Sequence, residues 1–200
     1  MAASDRTTPR SHRTSAETRE HVLTVAHELF YWRGIRATGV DTIAREAGVA
    51  PTTLYRLFAS KDDLVATYVE RADRLYQEWF DEAAGPPDAG PRERILALFE
   101  ALDEQVQPQR CRGCPFLMAL AEFPDADLQA HRHAVAMKAW VRERLEALAS
   151  DLGVRDPAAL ADQLSVVMEG VYASAQALGA GGPARRGRQL AEMLVDAAAR

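Results

Sequence analysis

The stretch ATGVDTIAREAGVAPTTLYRLFASKDDL, residues 37–64, constrains the fold more than any other part of the chain. It reads as two helices of about seven residues, near 40–47 and 51–58, joined by the tight turn GVA at 48–50, which is the layout of a helix-turn-helix unit. Gly48 supplies the positive φ that such a turn needs. Ala44 and Ala47 are small where two helices must approach, and Pro51 suits a first helical position, where its missing N–H costs nothing. Ile43, Ala44, Ala47, Val49, Leu54, Leu57 and Phe58 form the expected small core. That arrangement turns Thr52, Thr53, Tyr55 and Arg56 outward on the second helix.

Those outward side chains suit the major groove of DNA. The Arg56 guanidinium can give two donors to O6 and N7 of guanine, an interaction that discriminates bases by about 1–3 kcal/mol. Thr52 and Thr53 sit at the N-terminal end of the second helix, where recognition helices meet base edges. Thr38, Thr42, Tyr55 and Lys61 suit phosphate contacts, aided by free N–H groups at helix starts. Charge is distributed consistently with this. The chain carries −5 overall, but residues 1–61 hold nine Lys/Arg against six Asp/Glu, and the remainder fifteen against twenty-three. Only the front of the molecule therefore suits a polyanion.

Around this unit the pattern is helical throughout. SAETREHVLTVAHELFYWRG places Val22, Val25, Ala26, Leu29, Phe30 and Arg33 at three- and four-residue spacing; Ser15, with Glu17 and Thr18 nearby, suits its start and Gly34 its C-cap. SKDD opens a long helix over 61–83, with Ser60 and Asp63 as a carboxylate variant of the capping box. AAGPPDAGP, residues 83–91, is the clearest linker. Further helices are expected over 91–106, 115–123, 125–152, 157–178 and 184–199, with no β alternation and no repeat. The fold class is all-α, with roughly nine helices: an expected disordered basic arm over 1–14, a helix-turn-helix domain over 15–61 and a helical domain over 62–200. No apolar run is long enough to span a membrane, and the N-terminus lacks the apolar core of a secretory signal, so a cytoplasmic protein is expected.

The run RGIRATGVDTIAREAGVAPTTLYRLFASKDDL, with LFYWRG on the preceding helix, resembles the DNA-binding domain of TetR-family transcriptional regulators over residues 15–64. By that resemblance the helix-turn-helix proper covers 39–58, Tyr55 and Lys61 fall on phosphate-contacting positions, and Thr38 falls where the second helix is capped. Ala50 departs from the family, which commonly has a capping Ser there; the loss of such a cap costs about 1 kcal/mol. For the remaining helices the resemblance implies a ligand-binding and dimerisation domain.

A lone helix-turn-helix contacts too little DNA to be selective, and a two-fold dimer reads two half-sites about 34–36 Å apart or a multiple of that. Leu160, Leu164, Val167, Met168 and Val171 on one late helix, and Leu190, Met193 and Leu194 on the last, are the expected homodimer surface. An effector pocket for an unknown small molecule would lie among the middle helices, and its candidates are Phe99, Met118, Glu122, His133, Met137, Trp140, Met168, Tyr172 and Gln176. Glu122 stands out as a carboxylate in the otherwise apolar PFLMALAEF. Ligand and operator would communicate through the helix over 61–83, the one element continuous between the two parts.

CRGCPF, residues 111–116, holds both cysteines. Zinc would need two further ligands, and only His131 and His133 are candidates, so neither a metal nor any other cofactor is expected. Cys114 is placed as the N-cap of the next helix. The helix dipole, with Arg110 and Arg112 close by, would lower its thiol pKa if the site were accessible, which leaves a thiol-sensing repressor using Cys114 and Cys111 as an alternative. A helical interaction module without operator binding is a second. An enzyme is disfavoured: the chain has no P-loop, no GxGxxG after a strand, no HExxH and no nucleophile elbow.

Overall fold

The computed structural model describes residues 13–199. The expected arm over 1–14 lies outside them, except for Arg13 and Thr14. Thr14 belongs to the first helix: its hydroxyl accepts from the Glu17 N–H while the Glu17 carboxylate accepts from its own, a reciprocal capping box placed one residue ahead of the expected Ser15.

Helix α1 (Ser15–Arg33) ends at Gly34, whose φ is 96°. Helices α2 (Val40–Glu46) and α3 (Pro51–Leu57) follow, then α4 (Lys61–Ala83). Ser60 caps α4 by accepting from the Asp63 N–H at 3.0 Å, and the Asp63 carboxylate accepts from the Ala59 N–H, also at 3.0 Å. At 1.5 Å per residue α4 is about 35 Å long, enough to serve two bodies. Its first half buries Leu64, Val65 and Tyr68, with Tyr68 against α1, and its second half buries Tyr76 and Phe80 among the later helices. The Tyr68 ring meets Phe30 of α1 edge-on at 5.3 Å.

The second body comprises α5 (Pro91–Gln105), α6 (Pro115–Glu122), α7 (Gln129–Asp151), α8 (Pro157–Leu178), a 3-10 turn (Pro183–Arg186) and α9 (Gly187–Ala198). Helix α7 is its axis, packing on α4, α5, α6 and α8, while α9 closes over α5 and α8. The described residues are helical with no strand. Two boundaries differ from the periodicity. Helix α7 starts at Gln129 rather than 125, because the Asp125 side chain accepts from the Asp127 N–H and holds the chain in a turn. Helix α9 starts at Gly187, where α8 comes so close that an added Cβ would lie 2.4 Å from Val171 Cγ2.

Packing corrects the expected dimer surface. Leu160, Leu164, Met168 and Val171 are all buried inside the protomer, because the α8 stripe they form faces α7 and α5. Val167 and Leu194 are half-buried; Leu190 and Met193 stand exposed. The outward face of α8 is instead Val166, 72% exposed, with Gly170, Ala173, Ala177 and Leu178. No helix among the described residues is long and apolar enough to cross a membrane.

Candidate nucleic-acid interface and effector cleft

The turn between α2 and α3 is fixed from three sides. Gly48 takes φ 65°, the Val49 N–H donates to the Ala44 carbonyl at 2.9 Å, and the His21 imidazole of α1 reaches the Ala47 carbonyl at 3.0 Å. Leu54 and Phe58 anchor α3 from below, with the Arg19 guanidinium 4.8 Å above the Phe58 ring. Ala50 occupies the N-cap with no side-chain bond, and Pro51 follows as the first helical residue. What remains outside on α3 is Pro51, Thr52, Tyr55 and Arg56, with Thr53 half-buried beside them. Tyr55 is 51% exposed, and Arg56 has no hydrogen bond or ion pair among the described residues. On α2, Thr42 is half-buried.

Two expected phosphate contacts sit differently. The Thr38 side chain is buried and does not cap α2; its hydroxyl donates to the Gly34 carbonyl at 2.8 Å, and Gly39 is the N-cap. The reason is proximity: the loop folds Thr38 back under α1, whose last carbonyls lack helical partners. Lys61 is half-buried and donates to the Arg36 carbonyl at 3.4 Å; burial lowers its pKa, while Glu122 opposes that shift.

Glu122 is no pocket wall. Its carboxylate accepts from the Ile35 N–H at 3.0 Å and the Arg36 N–H at 2.5 Å, so the end of α6 holds the loop between α1 and α2. A second clasp lies in the loop at the other end of α6. The Tyr31 hydroxyl accepts from the Arg112 N–H at 2.8 Å and donates to the Gly113 carbonyl at 2.9 Å, while the Arg112 guanidinium donates to the Tyr31 carbonyl at 2.8 Å. Helix α4 is therefore not the sole route between the two bodies.

The other pocket candidates do not converge. Phe99 and Met137 are plain core; Trp140 packs edge-on against Phe80 at 5.3 Å; Met118 and His133 are half-buried elsewhere; and Gln176 lies against Gly113. Tyr172 alone of the nine lines the cleft of about 430 Å³ between α1, α4, α5, the loop before α6 and α8. Met168 accepts the Tyr76 hydroxyl through its sulfur at 3.5 Å just beneath. Tyr31, Trp32, Tyr76, Trp79 and Gln105, which also line this cleft, were not expected. A signal for Trp32 exists in the sequence: it lies outside a stripe already complete with Val22, Ala26, Leu29 and Phe30.

Cys114 is the N-cap of α6 by position, yet its thiol is buried, and burial pushes its pKa up despite Lys138 alongside. The condition for a lowered pKa, an accessible thiol, is therefore not met: desolvation prevails, and Arg112 is engaged on Tyr31 instead. Cys111 is half-buried and lines the cleft. Iodoacetamide is therefore expected to alkylate Cys111 in the native protein and Cys114 only after unfolding, which peptide mass spectrometry would read; equal native labelling would contradict this environment. The His131 ring is committed to the Phe123 carbonyl at 2.8 Å, and the described residues contain no metal-holding cluster of His, Cys, Asp and Glu.

Comparison with known proteins accords with this layout. The family model described as "Bacterial regulatory proteins, tetR family" matches residues 22–68. A putative TetR transcriptional regulator from Streptomyces avermitilis is 33% identical, covers 90% of this chain and 97% of its own, and superposes with a TM-score of 0.77. The chain belongs to the TetR family of transcriptional regulators. A TetR-family regulator from Streptomyces coelicolor is 29% identical over 92% of this chain and 97% of its own, with a TM-score of 0.87. The HTH-type transcriptional regulator YjdC of Escherichia coli is 27% identical over 152 residues, 76% of this chain and 80% of that protein. The all-α fold matches that of TetR-family structures, and the protein is a regulator rather than an enzyme.

Proposed function

We propose that the protein is a repressor that binds a palindromic operator as a homodimer and is released by a small-molecule effector, acting in the cytoplasm. The observation that carries this reading is the α3 surface, where Thr52, Tyr55 and Arg56 are exposed on a helix anchored rigidly from below. The family's members are generally repressors, and a dimer seated on an operator obstructs transcription sterically. Pairing of the exposed α8–α9 faces of two protomers would join two α3 helices in one molecule, as the reading of two half-sites in successive major grooves requires. Effector release then requires a ligand that prefers a conformation in which that spacing is lost.

Fluorescence anisotropy with a duplex from the region upstream of the protein's own gene tests this. Arg56→Ala is expected to reduce discrimination between that duplex and a scrambled one roughly 5- to 150-fold, the equivalent of about 1–3 kcal/mol. Lys61→Ala is expected to weaken both duplexes alike and to lower the salt slope by about one. Equal loss of specificity in both variants would refute the contact assignment. Absence of retention at low salt by dimeric wild-type protein would favour a helical interaction module instead.

A further inference from the structure

The 430 Å³ cleft lies within the size range of small-molecule sites. Five aromatic rings line it: Tyr31 and Trp32 from α1, Tyr76 and Trp79 from α4, and Tyr172 from α8. Tyr31 and Trp32 meet at 5.2 Å and nearly perpendicular, and Tyr76 and Trp79 meet at 5.0 Å, so these rings form faceted walls suited to a flat guest. Its polar groups are short of acceptors. The Tyr172 hydroxyl donates to the Gln105 carboxamide oxygen, and the Gln105 NH₂ group has no protein acceptor among the described residues. The buried Tyr76 hydroxyl donates to the Met168 thioether, a weak acceptor, and also meets the Tyr172 hydroxyl. Charge gives no preference for an ion: Glu28 and Arg110 line the cleft with opposite signs, and burial keeps the His27 imidazole towards its neutral form.

We propose that this cleft is the effector site and that it takes an uncharged, planar aromatic molecule bearing a carbonyl oxygen, which accepts from the Gln105 NH₂ group. This rests on the ligand-responsive reading above. The site is set directly against the recognition unit, because Tyr31 is at once a wall of the cleft and the pin that ties α1 to Arg112 and Gly113. A guest between Trp32 and Trp79 bears on that pin without relay through α4.

The test uses full-length protein with flavone and coumarin as probes, decanoate as an aliphatic anion and tetraphenylphosphonium as an aromatic cation. Binding is read by thermal shift and by quenching of Trp32 and Trp79. The two carbonyl-bearing aromatics are expected to bind and the two ions are not. Gln105→Leu is expected to weaken flavone about tenfold, as loss of a directed hydrogen bond does; Trp32→Ala should weaken it while the free protein keeps its native helicity. No shift with either aromatic, or stronger binding of either ion, overturns the ligand class. Binding unchanged in both variants overturns the site. Flavone that binds without displacing operator overturns the effector role alone, whereas a protein that binds flavone but no operator leaves the site standing and fails the repressor reading.

Discussion

Met193→Asp is expected to dissolve the proposed homodimer and, with it, to weaken the proposed operator binding roughly 10²- to 10⁴-fold, the contribution of linking two half-site contacts in one molecule. Met193 is 60% exposed on the protomer, one helical turn from Leu190 at 46%, and Val166 on the neighbouring α8 is 72% exposed. Large apolar side chains gathered on one face are what an association surface presents. A two-fold interface uses the same patch twice, so a single substitution brings two carboxylates into an apolar contact, with a desolvation penalty of several kcal/mol. The protomer itself should not suffer, since the side chain it replaces touches water there. Analytical ultracentrifugation would show a folded monomer of near-normal helicity. Leu164→Asp, at a position fully buried in the protomer, should unfold it instead. A variant Met193→Asp that still sediments as a dimer would place the interface elsewhere.

The contrast between Met193 and Leu164 shows where the sequence is legible and where it stops. Helix positions follow from local physics: Pro51, Ser60 with Asp63, and Gly34 mark boundaries that the structure reproduces to within a residue or so. Periodicity also identifies an apolar stripe on α8. It does not say which stripe meets its own chain and which a second copy, because α8 is apolar on two sides and small residues such as Gly170 and Ala173 carry almost no hydrophobic signal. The site shows the same division. The face of α3 is a local property and could be read from seven residues. Contacts between residues more than eighty positions apart, such as Tyr31 with Arg112 or Glu122 with Ile35, depend on how α6 docks, and no spacing rule reports that. Cys114 shows the same division: the helix start is visible in the sequence, but whether its thiol is accessible is not, and burial decides its pKa.

Glu122→Ala is the second large effect, expected to lower stability by about 2–4 kcal/mol, since two backbone donors lose a charged acceptor and each such loss costs about 1–3 kcal/mol. For a chain of this size the melting temperature should fall by roughly 5–10 °C. The Ile35 N–H bears most of the cost, because Ile35 is 1% exposed and water cannot replace the carboxylate easily, whereas Arg36 lies at the surface. Glu122→Gln keeps one oxygen as acceptor and should recover about half of the loss. The functional consequence follows from position. The clamp fixes the loop between α1 and α2, the segment that also carries Thr38 and accepts Lys61 through the Arg36 carbonyl. Loosening it leaves the α2–α3 unit intact, because His21 and the α1 core still hold it, but frees it from α6. Operator affinity in Glu122→Ala should therefore drop modestly while its response to an effector weakens. Native-state hydrogen exchange gives the sharpest reading: the Ile35 amide is expected to lose protection in Glu122→Ala and to regain it in Glu122→Gln. Protection unchanged in Glu122→Ala would mean that α6 does not hold this loop, and that communication between the two bodies runs through α4 and Tyr31.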